Sequence, residues 1–480
     1  MKNKIMLIYP PGKLYQRGED RAQSNIEDSA AASVHACNDI GYAAAILLDN
    51  GYDVFLRDYQ TEKTSFNEVK KDIESFKPDI ILISTTNATI GYDIEFVSRI
   101  VEFYQAIFVL KGAIFFDPEL SLLELNDFSN ISCMIGGEID TSILPLADCI
   151  LRNIGSLREI PNIIYRDDDG TFGKTFFSCW NNKLDDIPFP ARELMKNELY
   201  VRPDTGEPMA TIQVARGCPA KCVYCLTPII SGKKVRFRSV ENVLDEIKEC
   251  YYKFNIKCFF FKADTFTINT EWASKLCDLI IRSELSGKIS FTVNSRADTV
   301  SAELLTKLKK AGCFMIAVGF ESGSDETLKI IKKGTTSLQN INTAKMIKKA
   351  GLPLFGFFMI GFPWETETDI KNTLKHIIKI SPDFIEIHIA MPYYGTELYS
   401  LCEEYGTISS GSWNSDYYSP NTSGTSTVSM KRIQKLKKHG LLHFYLRPWY
   451  IFKKTAESLS DRRILKNYIQ YGIRLLKNNF

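Results

Sequence analysis

This chain of 480 residues is defined first by what it has little of. No apolar run approaches the ~18 residues of a membrane-spanning helix, so no span is expected. The opening MKNKIMLIYPPG holds a five-residue apolar run before two prolines, too short for the core of a secretory signal. A cytoplasmic protein is the expectation. Net charge is +2, with no global bias toward nucleic acid or anionic lipid. Histidine is scarce, at five residues: His35, His376, His388, His439 and His443. None forms an H-x3-5-H pair beside a cysteine pair, which excludes the commonest zinc-finger pattern. His439 and His443 have helical metal-ligand spacing, but their Lys-rich surroundings make them surface positions.

Of the twelve cysteines, nine (Cys37, Cys133, Cys149, Cys179, Cys250, Cys258, Cys277, Cys313 and Cys402) are scattered, mostly through apolar text. In a reduced compartment they read as small buried hydrophobes. The other three stand together: VARGCPAKCVYCLTP, from Val214 to Pro228, spaces Cys218, Cys222 and Cys225 as C-x3-C-x2-C. Structural zinc wants four ligands, and no second cysteine pair exists here. Soft thiolates also suit iron–sulfur clusters, which normally use four cysteines. With three, one iron keeps an open position, and open positions are where metal catalysis occurs.

The hydrophobic share of 45% and charged share of 24% are those of an ordinary globular protein. In residues 1–145, strand-like runs (KIMLIYP, YDVFLRDY, DIILISTT, AIFVLKG, ISCMIGGE) alternate with amphipathic helical segments. That pattern predicts a doubly wound, Rossmann-like α/β domain with ligands at the strands' carboxyl ends. Those ends are Tyr9–Gly12, Ser84–Thr89, Gly112 and Gly136–Glu138. Residues 146–205 are irregular and read as a linker, with a hairpin around Asp169-Gly170. Residues 206–400 hold six strands, each but the last followed by helix: a partial (β/α)6 TIM-type barrel with its site at the strands' carboxyl ends. The cysteine loop follows the first of these strands. Residues 401–480 give a Ser/Thr/Gly/Asn stretch and a basic helical C-terminal region; without an accompanying motif, its charge predicts no nucleic-acid binding.

RGCPAKCVYC resembles the C-x3-C-x-aromatic-C signature of radical S-adenosylmethionine enzymes. The surrounding text is similar to the cobalamin-binding branch of that superfamily, which includes the anaerobic magnesium-protoporphyrin ester cyclase. The likeness spans nearly the whole chain: LDDIPFPARELM, VGFESGSDETL, FFMIGFPWETETD, MPYYGTELY and HFYLRPWY resemble the family's linker, barrel and tail phrases. The resemblance implies a 4Fe–4S cluster on Cys218, Cys222 and Cys225, its fourth iron chelating S-adenosylmethionine. The family's Gly-Gly-Glu after the second barrel strand is missing. FKADTFT stands there, so Asp264 or Thr265 substitutes by position. By the same likeness Tyr224, Glu321, Ile360, Gly361 and Pro363 would border S-adenosylmethionine, with Arg296 a carboxylate partner. The alternative for Arg296 and Glu321 is a barrel-mouth ion pair.

The first domain would bind cobalamin through Tyr9, Pro10 and Pro11, Ser84, Thr85, Thr86 and Asn87, and Gly136, Gly137 and Glu138. The D-x-H-x-x-G cobalt-ligand motif is absent, and His35, in AASVHACNDIG, reads as a helix or loop residue. Lys13–Ser33 is a long polar segment that reads as a lid or substrate element.

The activity so implied is methylation of an unactivated carbon through methylcobalamin and a 5′-deoxyadenosyl radical. The substrate would be a small molecule or biosynthetic intermediate, and the electron donor of flavodoxin or ferredoxin type. Ring formation or oxidation with the same cofactors is the alternative, and a non-catalytic cobalamin or redox sensor is a third reading.

Overall fold

The computed structural model of the protein describes residues 3–17, 34–116, 128–175, 179–408, 422–459 and 462–479. Most of the segment expected to form a lid (18–33) and part of the Ser/Thr-rich stretch (409–421) lie outside the described residues.

Five short apolar runs form parallel strands: β1 (Lys4–Tyr9), β2 (Asp53–Asp58), β3 (Ile80–Ser84), β4 (Ile107–Lys111) and β5 (Cys133–Ile135). Helices α1 (Asn38–Asp49), α2 (Phe66–Phe76), α3 (Ile90–Val101) and α4 (Ile143–Arg152) cover both faces of the sheet. The period of two sorts β1: Ile5 and Leu7 pack with α1 and α4, while Met6 and Ile8 pack with α2 and α3. Burial on both faces explains why these strands read as continuous apolar runs. The expected hairpin, β6 (Ile163–Arg166) and β7 (Phe172–Lys174), joins this sheet antiparallel, giving the order β2-β1-β3-β4-β5-β6-β7. The strand order reverses between β1 and β3, so the loops after Tyr9 and Ser84 flank the switch point where ligands of such sheets bind.

The second unit is a six-stranded, wholly parallel sheet: β8 (Met209–Gln213), then, beyond the short strands β9 (Ala215–Arg216) and β10 (Arg236–Phe237), β11 (Cys258–Lys262), β12 (Ser290–Arg296), β13 (Cys313–Glu321), β14 (Leu354–Ile360) and β15 (Phe384–Ile389). β8 and β15 do not pair, so the barrel is open on one side. After the short α5 (Thr227–Ile230) come α6 (Val240–Phe254), α7 (Thr270–Arg282), α8 (Ala302–Lys310), α9 (Asp325–Ile330), α10 (Ser337–Lys349) and α11 (Glu367–Ile380). Reciprocal capping boxes start two of them, Thr336 with Gln339 at α10 and Thr366 with Asp369 at α11.

Alternation along the strands divides the barrel's side chains. Phe259 and Phe261 face the helices, whereas Phe260 faces the interior, as do Thr292, Asn294 and Arg296 on β12 and Phe355, Phe357 and Met359 on β14. Helices α12 (Glu397–Glu404), α13 (Met430–Tyr445), α14 (Pro448–Ser458) and α15 (Arg462–Asn479) complete the chain. Among the described residues, no helix is long and apolar enough to cross a membrane.

Candidate active site

The cysteine loop leaves the barrel after β8 on a stem formed by β9 and β10, which pair antiparallel with Arg216 opposite Arg236. Gly217 opens the loop at φ +90, and a Cβ there would run into the carbonyl oxygens of Lys234 and Ser231. The position therefore demands glycine. Backbone bonds pin the loop: Cys218 N donates to Gly232 O at 3.1 Å, Cys225 N to Cys222 O at 3.2 Å, and Val223 N to Ile331 O at 3.2 Å. Cys218 is buried, Cys222 and Cys225 half-buried. All three line one cavity of about 560 Å³ inside the barrel.

Among the described residues, no three His, Cys, Asp or Glu side chains are gathered around one point as ligands of a single ion. A four-iron cluster differs, because its thiolates bind separate irons. Three thiols on one loop, all lining one cavity, fit such a cluster.

Charged groups from successive strand ends share this cavity. Arg296, at the end of β12, places Nη1 3.5 Å from Cys222 Sγ, while Nε and Nη2 each donate to Asp298 at 2.9 Å. Its Nη2 also donates to the carbonyl of Lys333. Glu321, at the end of β13, accepts from Lys333 Nζ at 2.7 Å. The barrel-mouth ion pair is thus Glu321–Lys333, and Arg296 pairs with Asp298. Lys333 Nζ is also 3.4 Å from the Tyr224 hydroxyl. Burial pushes the Tyr224 phenol well above its ordinary pKa, with the neighbouring Cys222 thiol and Glu321 carboxylate adding to the shift. Asp264 accepts from Thr227 Oγ1 at 3.0 Å and lines the cavity beside buried Thr265.

Lys333 is the functional candidate that sequence reasoning missed. It lies in IIKKGTT, where Lys332 (φ 53) and Gly334 (φ 78) both turn left-handed; the KKG stop after α9 is the one available signal. At the end of β14 the structure brings Met359 to the cavity wall. Ile360 instead packs in the core, and Gly361 lies against Ile389 and Ile433; neither they nor Pro363 line the cavity.

The carboxyl edge of the N-terminal sheet meets the barrel mouth. A small cavity between them, about 70 Å³, is lined by Tyr9, Asp39, Lys111, Gly137 and Glu138 from one side and Gln213, Arg216, Lys262 and Asp264 from the other. Asp264 lines both cavities. Tyr9 and Ser84 hydroxyls donate to Asp39 at 2.5 and 2.6 Å, and Thr85 and Thr89 donate to Asp93, which Arg17 also pairs at 2.8 Å. Pro10, Pro11, Thr86 and Gly136 are buried, and Asn87 and Gly137 are half-buried. Glu138 is turned to a different task. It pairs with Arg236 at 2.6 Å and Arg216 at 3.2 Å, clamping the sheet to the stem of the cysteine loop. His35 sits in a loop, stacks on Phe260 at 4.8 Å and lines the larger cavity.

Residues 212–377 match the Radical SAM superfamily. An uncharacterized methyltransferase of Pyrococcus horikoshii is 30% identical over 422 residues, covering 87% of this chain and 89% of that protein. The chain belongs to the radical SAM superfamily.

Two further likenesses place this radical SAM protein within it. The anaerobic magnesium-protoporphyrin IX monomethyl ester cyclase of Rubrivivax gelatinosus is 25% identical over 369 residues, covering 75% of this chain and 65% of the cyclase. The solved structure of the cobalamin-dependent S-adenosylmethionine radical enzyme OxsB, with aqua-cobalamin and S-adenosylmethionine bound, superposes with a TM-score of 0.73 at 17% identity. It covers 100% of this chain and 72% of OxsB. At that identity the likeness is one of fold. It extends over the Rossmann-like domain, the partial barrel and the helical tail together.

Proposed function

We propose that this radical SAM protein is a cobalamin-dependent C-methyltransferase acting on an unactivated carbon. The observation that carries the proposal is one cavity that gathers the three loop thiols, Arg296 and the Glu321–Lys333 pair, next to the switch-point edge of a doubly wound sheet.

Cys218, Cys222 and Cys225 would hold the 4Fe–4S cluster. Arg296, a cation beside the loop, would pair with the carboxylate of S-adenosylmethionine, and Glu321, fixed by Lys333, would accept from its amino or ribose groups. For cobalamin, whose rim carries amides, the cleft offers donors and acceptors in Asn38, Gln213, Lys111 and Asp264. Asn38 donates through Nδ2 to Thr211 O, and its Oδ1 is buried with no partner among the described residues, ready to accept. The small cavity, set between the two units, is where the edge of such a ring would enter. When bound, the cluster and S-adenosylmethionine supply a carbon-centred radical, and cobalamin supplies a methyl group.

The chain's own contribution is orientation and exclusion. Phe260, Phe357, Met359 and Met391 line the cavity with apolar surface that would disfavour water beside the reacting carbon. Reduction of the cluster would come from a low-potential donor of flavodoxin or ferredoxin type. Ring formation or oxidation with the same groups is the second reading, favoured by the likeness to the cyclase.

Anaerobic reconstitution tests the radical step. The wild type is expected to convert S-adenosylmethionine to 5′-deoxyadenosine, and Cys222→Ala to lose that conversion and most bound iron while still binding cobalamin. Cobalamin binding with no deoxyadenosine from the iron-loaded wild type would instead favour a sensor.

A further inference from the structure

A second cavity of about 560 Å³ lies outside the barrel, between the open-edge strand β15 and helices α13, α14 and α15. Its walls are mostly apolar (Ile385 from β15, Leu441 from α13, Tyr450 from α14, and Leu465, Ile469 and Leu475 from α15), with Glu386, Lys437 and Lys438 among the charged residues that line it. Tyr468 and Tyr471 of α15, with Phe384 and Lys454, line this groove and the barrel cavity alike, so they form the partition between the two. Phe384 packs against Tyr468 at 6.1 Å, and Lys454 Nζ sits 4.7 Å over the Phe384 ring. The volume suits a drug-sized apolar ligand or a segment of a long chain.

The outer face of the same helices is unlike the rest of the surface. Of the fourteen large hydrophobic side chains exposed among the described residues, eight fall between Leu446 and Leu476: Leu446, Ile451, Ile469 and Leu476 at the groove itself, and Trp449, Phe452, Leu459 and Ile473 outside it. Trp449 and Phe452, 73% and 64% exposed, stack on each other at 5.7 Å. From Met430 to Asn479 there are thirteen Lys or Arg against two Asp or Glu, in a chain whose whole net charge is +2. Between Arg462 and Asn479 there is no acidic residue at all. Exposed aromatic and aliphatic side chains among lysines and arginines are what a helix lying in a lipid headgroup layer requires. The concentration of positive charge adds attraction to an anionic leaflet. A protein partner would need acidic complementarity on an apolar surface; an anionic bilayer supplies both at once.

We propose that α14 and α15 rest on an anionic lipid bilayer, and that the groove behind them takes the apolar chain of a substrate drawn from it. The chain's reacting carbon passes the partition at Tyr468 and Tyr471 to reach the cavity of the cysteine loop. The substrate half of this inference rests on the barrel cavity being the active site; the docking half does not.

Three measurements on the full-length protein test it. Cosedimentation is run with phosphatidylglycerol and with phosphatidylcholine vesicles at about 0.1 M and about 1 M salt. Binding is expected to favour phosphatidylglycerol, to weaken in high salt, and to fall about tenfold in Trp449→Glu/Phe452→Glu, whose exposed positions leave the core intact. Groove occupancy is read with parinaric acid, a fluorescent polyene fatty acid. Gly472 lines the groove, and a Cβ there would meet nothing within 4 Å. Gly472→Trp can thus fill the groove without disturbing its walls, and is expected to weaken the probe about tenfold.

Equal binding to both vesicles, or parinaric acid affinity unchanged in Gly472→Trp, would overturn the proposal. So would a wild-type dimer in sedimentation velocity that Trp449→Glu/Phe452→Glu dissociates, since the face would then belong to a second copy. Neither vesicle nor probe binding needs the cluster, so their failure leaves methyl transfer standing, and the converse holds.

Discussion

Glu321 sits at φ +61, a region that non-glycine residues seldom visit, and its carboxylate is buried. Such a residue persists because its partner fixes it, and Lys333 Nζ does so at 2.7 Å. The pair is enclosed, with both side chains less than a tenth exposed. Breaking it by Lys333→Met would strand a buried carboxylate, at a cost of about 3–5 kcal/mol. Unfolding in guanidinium is expected to show that loss, together with weaker S-adenosylmethionine binding; a stability change under ~1 kcal/mol would show the pair to be solvated in solution. The sequence made Glu321 legible because it stands in a recognisable phrase at a strand's end. Lys333 was not legible: it is one lysine among several, and its contact with Glu321 and Tyr224 depends on how α9 returns to the barrel mouth.

At the scale of elements, the turn from β14 into α11 is closed by Glu365, whose Oε2 accepts from Gly361 N at 2.7 Å and Phe362 N at 3.1 Å. Gly361 takes φ +84 there. Glu365 is fully buried, Oε1 has no hydrogen-bond partner among the described residues, and burial raises its pKa to about 8 against two backbone bonds that lower it. The folded protein therefore binds this proton more tightly than the unfolded chain, whose value is near 4.5. Stability from the protonated group is complete below about pH 4.5 and is lost as pH rises toward about 8, a change on the order of a few kcal/mol. Glu365→Gln keeps an acceptor oxygen without the titration. Thermal unfolding between pH 5 and 8 is expected to decline more steeply in the wild type than in Glu365→Gln; parallel curves would contradict a neutral Glu365.

Elements were the most legible level of this protein. Five of the six barrel strands stand before a helix in the sequence, and the cysteine loop follows the first of them. The turn after β14 was harder, because a shift of one residue in register decides whether Met359 or Ile360 reaches the cavity.

For the whole molecule, what matters is how the two sheets are joined. Glu138 reaches from the N-terminal sheet to Arg216 and Arg236 on either side of the cysteine loop's stem. Buried Arg192, from the connecting segment, is clamped to Glu246 of α6 at 2.6 Å. These ion pairs set the edge of one domain over the mouth of the other, which a single sequence cannot disclose because each partner lies tens of residues from its mate. The groove against α15 is hidden for the same reason.

That juxtaposition of the cysteine-loop cavity and the switch-point edge of the N-terminal sheet is what the proposed methyl transfer would use. The deciding measurement is one anaerobic turnover experiment on the reconstituted protein with cobalamin, a low-potential reductant, its substrate and S-adenosylmethionine carrying a labelled methyl group. Label is expected in the product alongside 5′-deoxyadenosine. Product formed without label, at an undiminished yield of deoxyadenosine, would contradict it.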